Sequence, residues 1–538
     1  MSIHSQAEIG TKERLVIVSN RLPILLKEEA DGSWAVKPGS GGLVTAMAPV
    51  LKDRGGVWIG WSGTEEKKGL DQDSLLGEAV QDSGYTFKSV ALSRSELDGY
   101  YYGFANEILW PLFHDLQTRC NFDPNYWGIY QNVNRKFAKV IFHNTGKDDD
   151  IWVHDYQLII VGQALRALGV TSKIGYFLHI PFPPLDLFLK LPWRFQILEA
   201  LLAYDLIGFQ TQRDKRNFAQ CVRAMFKHVP VRGKGRVVTT EVNHREVRIG
   251  NFPISIDFDE FAGEAERTAV RHRANEIRAN LSADSNRRTL LLGVDRLDYT
   301  KGIPERLAAF GNTLERFPQL REKISLIQIV VPSRVDIPKY KDLKLEIDRM
   351  ISNINGKFAQ THWVPIHYIY RSVDRGELVA LYRAADIALI TPLKDGMNLV
   401  AKEYCACNIS EDGVLIMSEF AGAAAQLHPE AILVNPYDVE EVAGSIAAAC
   451  EMPLSEKRRR MKALRRKIQK SDIYWWVDSF IKAVFACDLK VLPPGEECMA
   501  TERSKPPHGA ISLLDEEAQP FINSLSTYRQ LTGSDGKT

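Results

Sequence analysis

The feature that most constrains the fold is a series of short, uniformly apolar runs of strand length, each followed by a helical pattern. They occur as LVIVS (15–19), DIWVH (150–154), KIGYFL (173–178) and DLIGF (205–209), then resume as TLLLGV (289–294), ISLIQIVV (324–331), PIHYIY (365–370), DIALIT (386–391), GVLIM (413–417) and AILV (431–434). A strand with one wet face alternates apolar and polar residues, whereas a run that is apolar throughout needs cover on both faces. The intervening helices supply that cover, which predicts an α/β chain built on parallel sheets. At 538 residues the chain exceeds the size at which one core keeps growing, so two Rossmann-like lobes facing a deep cleft are expected.

The join falls near NFPISID (251–257), where a Pro-containing stretch precedes a charged helical pattern beginning at Phe258. The expected units are an N-terminal lobe (1–254), a C-terminal lobe (255–470), a helix (471–490) and a polar extension (491–538). SEKRRRMKALRRKIQK (455–470) is basic enough for nucleic acid or a lipid surface, but Met461, Leu464 and Ile468 fall on one helical face, which predicts a solvated amphipathic helix. With 45% hydrophobic residues, 25% charged residues and a net charge of +1, nothing in the totals calls for nucleic acid. The seven cysteines are scattered without a CxxC pair, which argues against a disulfide framework or a zinc knuckle. The first residues lack the apolar stretch of a signal peptide, and no run of about 18 apolar residues occurs that would span a bilayer. A soluble, cytoplasmic chain without membrane partners is expected.

In open parallel sheets, ligands bind beyond the carboxyl ends of the strands. The residues that follow the apolar runs are polar: Asn20 and Arg21, His154 and Asp155, His179, Gln210, Asp295 and Arg296, Ser333 and Arg334, Arg371, Lys394 and Asp395. So many, from both lobes, predict one convergent site for something anionic. In VDRLDYTKGIPERL, Pro304 suits the first turn of a helix, so Lys301 and Gly302 stand at its amino end, with Arg296 close by. That is a phosphate site, unless Arg296 merely bridges a surface carboxylate. ITPLKDGMNLVAKEY repeats the logic, with Gly396 in the turn and a helix whose first amides, near Met397, Asn398 and Leu399, can donate to a diphosphate. Glu403, one turn on, either accepts from the two hydroxyls of a ribose or faces solvent.

KPGSGGLVTAM (37–47) is a glycine-rich loop that brings backbone amides close to a phosphate or sugar, a weak signal alone. Neither GxGxxG after the first strand nor the P-loop pattern is present. Aromatics cluster in YYYGFANEILWPLFH (100–114), with Trp58 and Trp61; most are expected in the core, one or two against a sugar. The DDD at 148–150 precedes its strand, the wrong end of the sheet for a metal site.

VSNRLP, SGGL, GWSG, VHDYQL, FLHIPFP, LIGFQT, VDRLDYTKGIPERL, VPSR and DGMNLVAKEY, in this order, closely resemble the trehalose-6-phosphate synthases of glycosyltransferase family 20 over roughly residues 14–486. The resemblance implies a GT-B fold and a retaining transfer of glucose from UDP-glucose to glucose-6-phosphate. It puts the acceptor in the N-terminal lobe, the nucleotide sugar in the C-terminal lobe, and the 471–490 helix back on the N-terminal lobe. It implies no metal or other cofactor, and allows a homo-oligomer, dimer or tetramer.

By the same resemblance the donor falls to Gly41, Gly42, His179, Arg296, Lys301, Asp395, Met397, Asn398, Leu399, Val400, Ala401, Lys402 and Glu403, with Val373 at a backbone contact to the base. The acceptor phosphate falls to Arg21 and Arg334, its sugar pocket to Trp61, Tyr101 and Trp110, and its hydroxyls to Asp155. Arg296 and Lys301 would stabilise the departing diphosphate, while His179 and Asp395 orient the sugar. The leaving phosphate oxygen would take the acceptor's proton, so neither a protein nucleophile nor a metal is required. Ser255 replaces a glycine common in the family's PIGI, and the terminal extensions have no counterpart.

Rivals are a sister enzyme using glycerol 3-phosphate, ADP-glucose or GDP-glucose, and a catalytically silent sugar-phosphate-binding homologue. SNR, HDY and VPSR together favour glucose-6-phosphate, and the intact site residues argue against silence. A glycosidase would leave the cations unexplained, and an oxidoreductase lacks its fingerprint.

Overall fold

The computed structural model describes residues 14–485 except 30, 32, 39–46, 48–50, 52–55, 67–71, 79–84, 282–286 and 335–336. Gly41, Gly42 and the 491–538 extension lie outside the described residues.

The first half of the chain contributes strands β1 (Leu15–Arg21), β2 (Ile24–Glu28), β3 (Trp34–Pro38), β4 (Gly56–Trp61), β5 (Tyr85–Ser89), β6 (Asp150–His154), β7 (Ile174–Phe177), β8 (Leu206–Phe209), β9 (Val237–Val242) and β10 (Arg245–Asn251). Eight of them form one sheet in the order β5-β4-β1-β6-β7-β8-β10-β9, while β2 and β3 pair as a separate hairpin. The large sheet is parallel except for the antiparallel β9–β10 edge. The second half contributes β11 (Thr289–Arg296), β12 (Ile324–Val331), β13 (Ile366–Ile369), β14 (Ile387–Ile390), β15 (Val414–Ser418) and β16 (Ile432–Val434). These form a parallel sheet in the order β13-β12-β11-β14-β15-β16. Each of the ten apolar runs is a strand, and β7, β8 and β14 are buried along their whole length. Two sheets of this kind, each clad in helices, are the GT-B architecture.

The stretch after β10 leads into the helix Phe258–Glu266, capped by the Asp257 side chain on the Glu260 amide. The basic segment forms the helix Leu454–Lys470, burying Met461, Leu464 and Ile468. The chain then returns: Ile473 donates its amide to the Ile256 carbonyl at 3.0 Å, and the helix Ile473–Phe485 packs on the first sheet. Phe480 stacks on Trp152 with centroids 4.2 Å apart and planes 7° apart. Gly175 and Gly208 make room for that ring, since a Cβ at either would come within 2.8 Å and 2.7 Å of it. Trp476 Nε1 donates to the Phe252 carbonyl at 3.0 Å. Ser255 is fully buried in this crossing. Among the described residues, no helix is long and apolar enough to cross a membrane.

The lobes touch. Lys394 Nζ reaches Asp115 Oδ2 at 2.6 Å, Lys339 Nζ reaches the Arg119 carbonyl at 2.7 Å, and a Cβ at Gly396 would fall 2.0 Å from the His179 carbonyl. Removing the ring that binds the returning helix, Phe480→Ala, is expected to destabilise the protein by about 3–5 kcal/mol, seen as a lower denaturant midpoint; an unchanged midpoint would mean the helix adds nothing.

Candidate functional site

The strand ends of both sheets face one cleft. Arg21 ends β1, and its guanidinium lies 4.8 Å from the Trp61 ring and 5.3 Å from the Tyr101 ring. Arg334 follows β12 in the left-handed region (φ 50°). It lies 4.5 Å over Trp110, donates to Asp298 Oδ2 at 3.2 Å and Tyr340 Oη at 2.5 Å, and reaches Tyr156 Oη of the other lobe at 3.4 Å. Burial alone would raise the Tyr101 hydroxyl, yet Arg334 and Arg21 hold it below the usual tyrosine range. Two guanidiniums from different lobes thus bear on one phenol. Among the described residues Arg21 has no carboxylate partner, and the buried Trp110 indole N–H has no acceptor. A bound phosphosugar could satisfy both.

Asp155 follows β6 with φ 77°, a strained value outside glycine that marks functional sites. Its Oδ1 accepts the His179 amide at 3.1 Å. Burial lifts this carboxyl to about 7, against backbone hydrogen bonds and the fields of Arg296 and Arg334. His179 Nε2 lies 3.1 Å from Nδ1 of His154, which is fully buried. Burial drives His179 to about 3 and His154 well below its ordinary value, so both rings are neutral, one donating its N–H to the bare nitrogen of the other.

On the opposite wall, Arg296 ends β11, exposed and without an ion pair or hydrogen bond among the described residues. Lys301 Nζ pairs with Asp395 Oδ2 at 2.6 Å, and Asn398 Nδ2 donates to the same oxygen at 3.2 Å. Despite burial, Lys301 keeps the Asp395 carboxyl below its ordinary value. Gly302 (φ 61°) starts the helix Ile303–Arg316, and a Cβ there would lie 2.3 Å from the Thr391 carbonyl. Asn398 (φ 79°) caps the helix Leu399–Cys407 by accepting from the Ala401 amide at 3.2 Å. The amides of Leu399 and Val400 are then left without an intrahelical acceptor. Glu403 is not solvent-facing: its Oε2 accepts from the Tyr382 hydroxyl at 2.7 Å, and burial raises it. Val373 is half-buried, next to the Asp374 cap of the helix Arg375–Ala384.

Some expected residues point elsewhere. Lys402 is buried, and its ammonium donates to the Ile254 carbonyl (2.7 Å) and to Gln426 Oε1 (2.6 Å), holding the interlobe crossing and not a donor. The Ala401 amide is taken by its cap, whereas the buried Met397 side chain leaves the expected amide contact there unaffected. Asp295 turns inward to a buried ion pair with Arg306, which also binds Thr391 and Gln328, so it serves the sheet. Gln210 accepts the Ile254 amide at 3.0 Å. Asp149 pairs with Arg14 at 3.0 Å, at the opposite end of β6.

Two residues that strand-end reasoning did not single out belong to this cleft. His114 caps the short helix Trp110–Phe113, its Nδ1 2.7 Å from the Trp110 carbonyl. Burial pushes it to about 4, within the fields of Asp298, Lys301 and Asp395. Asp298 Oδ1 accepts from the Thr300 amide and hydroxyl, both at 3.0 Å, while its Oδ2 holds Arg334. The DYT sequence carries that capping signal; His114 carries none.

The profile of glycosyltransferase family 20 matches residues 13–485. A trehalose-6-phosphate synthase of Mycolicibacterium vanbaalenii is 43% identical over 473 residues, 87% of this chain and 95% of its own. That of Mycolicibacterium smegmatis is 42% identical over 481 residues, 89% and 93% of the two chains. Among solved structures, an α,α-trehalose-phosphate synthase (UDP-forming) from Burkholderia xenovorans in complex with glucose-6-phosphate superposes with a TM-score of 0.79 at 37% identity, over 88% of this chain and 99% of that one. A trehalose-6-phosphate protein from E. coli bound with UDP-2-fluoro glucose gives 0.78 at 36% identity, over 90% and 100%. The chain belongs to glycosyltransferase family 20.

Proposed function

We propose that the chain transfers glucose from UDP-glucose to glucose-6-phosphate with retention at the anomeric carbon, giving trehalose 6-phosphate and UDP. The observation that carries this is a pair of anion sites on one cleft. Arg21 and Arg334 bear on Tyr101, and Arg296 and Lys301 stand by two helix amino ends, near enough that Arg334, Lys301 and Arg296 all act on Asp298. The relatives named above, and the sugar phosphate and nucleotide sugar bound to solved neighbours, support the same two substrates.

In this reading Arg21 and Arg334 take the acceptor phosphate, and ionised Asp155 accepts from acceptor hydroxyls. The donor diphosphate draws Lys301 from Asp395, freeing that carboxylate for the sugar's hydroxyls. Arg296, Lys301 and the Leu399 and Val400 amides stabilise the charge that grows on the departing UDP, where preorganised donors are most effective. The acceptor oxygen bonds the anomeric carbon on the face UDP leaves, the carbon–oxygen bond to phosphate breaks, and a diphosphate oxygen receives the acceptor's proton. Neutral His179 orients the sugar by hydrogen bonding. Glu403 has one oxygen left for a ribose. We also infer a cytoplasmic setting, supported by five free cysteines among the described residues.

The direct test is UDP release from UDP-glucose with glucose-6-phosphate, glycerol 3-phosphate or no acceptor, and with ADP-glucose and GDP-glucose as alternative donors. Release is expected with UDP-glucose and glucose-6-phosphate alone; release only with glycerol 3-phosphate would replace the acceptor, and none with any pair would indicate a silent homologue. Arg296→Ala should lower kcat by about 10²–10³-fold in the same assay, and normal turnover would sink its assignment. Asp155 is worth following against pH. Its folded value of about 7 lies above its unfolded one, so ionisation weakens the fold as pH rises through 7 while creating the acceptor ligand. The acceptor KM should therefore rise as pH falls from about 8 to about 6. Asp155→Asn should melt at a higher temperature than wild type at about pH 8 yet turn over far more slowly, with a flat profile. A wild-type KM that ignores pH would contradict this role.

A further inference from the structure

A cavity of about 150 Å³ lies behind the cleft, where both chain crossings between the lobes run side by side. Gln210 follows β8, Arg236 precedes β9, Asn251 ends β10, Gln426 belongs to the C-terminal lobe, Lys470 ends its helix, and Trp475 belongs to the returning helix. The Arg236 guanidinium lies 4.8 Å over the Trp475 ring. Gln210 Oε1 is engaged by the Ile254 amide and Gln426 Oε1 by Lys402, so each glutamine has its NH₂ left to offer. Among the described residues, no carboxylate lines the cavity. Beside these donors lies an acceptor, Asn251 Oδ1, in a side chain 2% exposed and without a hydrogen-bond partner among the described residues. Buried acceptors are nearly always partnered.

We propose that this hinge cavity is a second ligand site, separate from the cleft, for a small phosphorylated polyol or sugar phosphate. The phosphate meets Arg236, Lys470 and the glutamine NH₂ groups, and a hydroxyl donates to Asn251 Oδ1. The cavity shares a wall with the cleft. Gly422 lines it, and the amides of Gly422 and Ala423 donate to the carbonyls of Asp395 (3.1 Å) and Met397 (2.8 Å). Lys402 ties Gln426 to the Ile254 crossing. An occupant touching both lobes and both crossings favours the arrangement in which Lys394 meets Asp115 and Gly396 meets His179. A nucleotide needing the same closure then binds tighter with the cavity filled, and the reverse. The site stands independently of the proposed function; only its coupling to UDP rests on that reading.

Tungstate soaked into crystals, as a phosphate surrogate, should give an anomalous peak in the hinge cavity besides any at the two cation sets of the cleft. Calorimetric titration with inorganic phosphate should count one site per chain more in wild type than in the hinge variants. Asn251→Asp should remove the hinge site, and because that position is buried, the exposed Lys470→Glu provides a second variant, expected to lose the same site with basal turnover unchanged. Absence of the hinge peak, or a Lys470→Glu titration identical to wild type, overturns the proposal. With phosphate present, UDP binding should be about fivefold or more tighter in wild type than in Lys470→Glu, a comparison in which competition at the cleft cancels. Equal UDP affinity in both would overturn the coupling, while failure of UDP to bind at all, with the hinge peak present, would count against the proposed function alone.

Discussion

Four cations converge on one cleft, and the surrounding structure is arranged around that constraint. Like charges a few ångströms apart repel by roughly 4 kcal/mol even in the polarisable environment near a protein surface, so such a set persists only if it is anchored. Arg334 is held by Asp298, and Lys301 by Asp395. Each carboxylate is itself fixed, Asp298 by the Thr300 amide and hydroxyl, Asp395 by Asn398. Arg21 leans on aromatic faces, and Arg296 stands in solvent. The balance stays positive, which suits an anionic ligand.

The second dependency is closure, which neither lobe achieves alone. Gly396 lacks a side chain where the His179 carbonyl presses against the loop before the helix Leu399–Cys407. The returning helix reinforces that contact from behind, because Trp476 lies against both histidine rings, with centroids 6.4 Å from His154 and 6.3 Å from His179. Dry walls of this kind keep the imidazoles neutral and lift Asp155. The same walls strengthen every charge interaction inside the cleft.

Much of the fold was legible because strands buried on both faces leave an unbroken apolar record. What escaped did so for physical reasons. β9 (VVTTEV) and β10 (REVRIGN) mix apolar and polar residues because one is a sheet edge and the other its neighbour. β4 (GVWIGW) is broken by glycines, and Gly60 is required where a Cβ would lie 2.9 Å from the Ser19 carbonyl. Strand-end polarity located the cleft but overcounted it: Asp295, His154 and Gln210 sit at strand ends yet turn inward to a buried ion pair, a neighbouring ring and the lobe crossing. Lys402 shows the converse limit, since a contiguous motif does not reveal which face of a helix each residue takes. His114 was invisible because its role comes from burial beside Trp110, which no spacing encodes.

The proposed function requires two anion sites that fill together in this cleft, one from Arg21 and Arg334 across the lobes and one from Arg296 and Lys301 of the second sheet. Calorimetric titration of glucose-6-phosphate into the full chain, alone and then saturated with UDP, tests it most directly. The account predicts one glucose-6-phosphate per chain in both cases, bound more tightly when UDP is present. Displacement of glucose-6-phosphate by UDP would mean a single anion site and would contradict it.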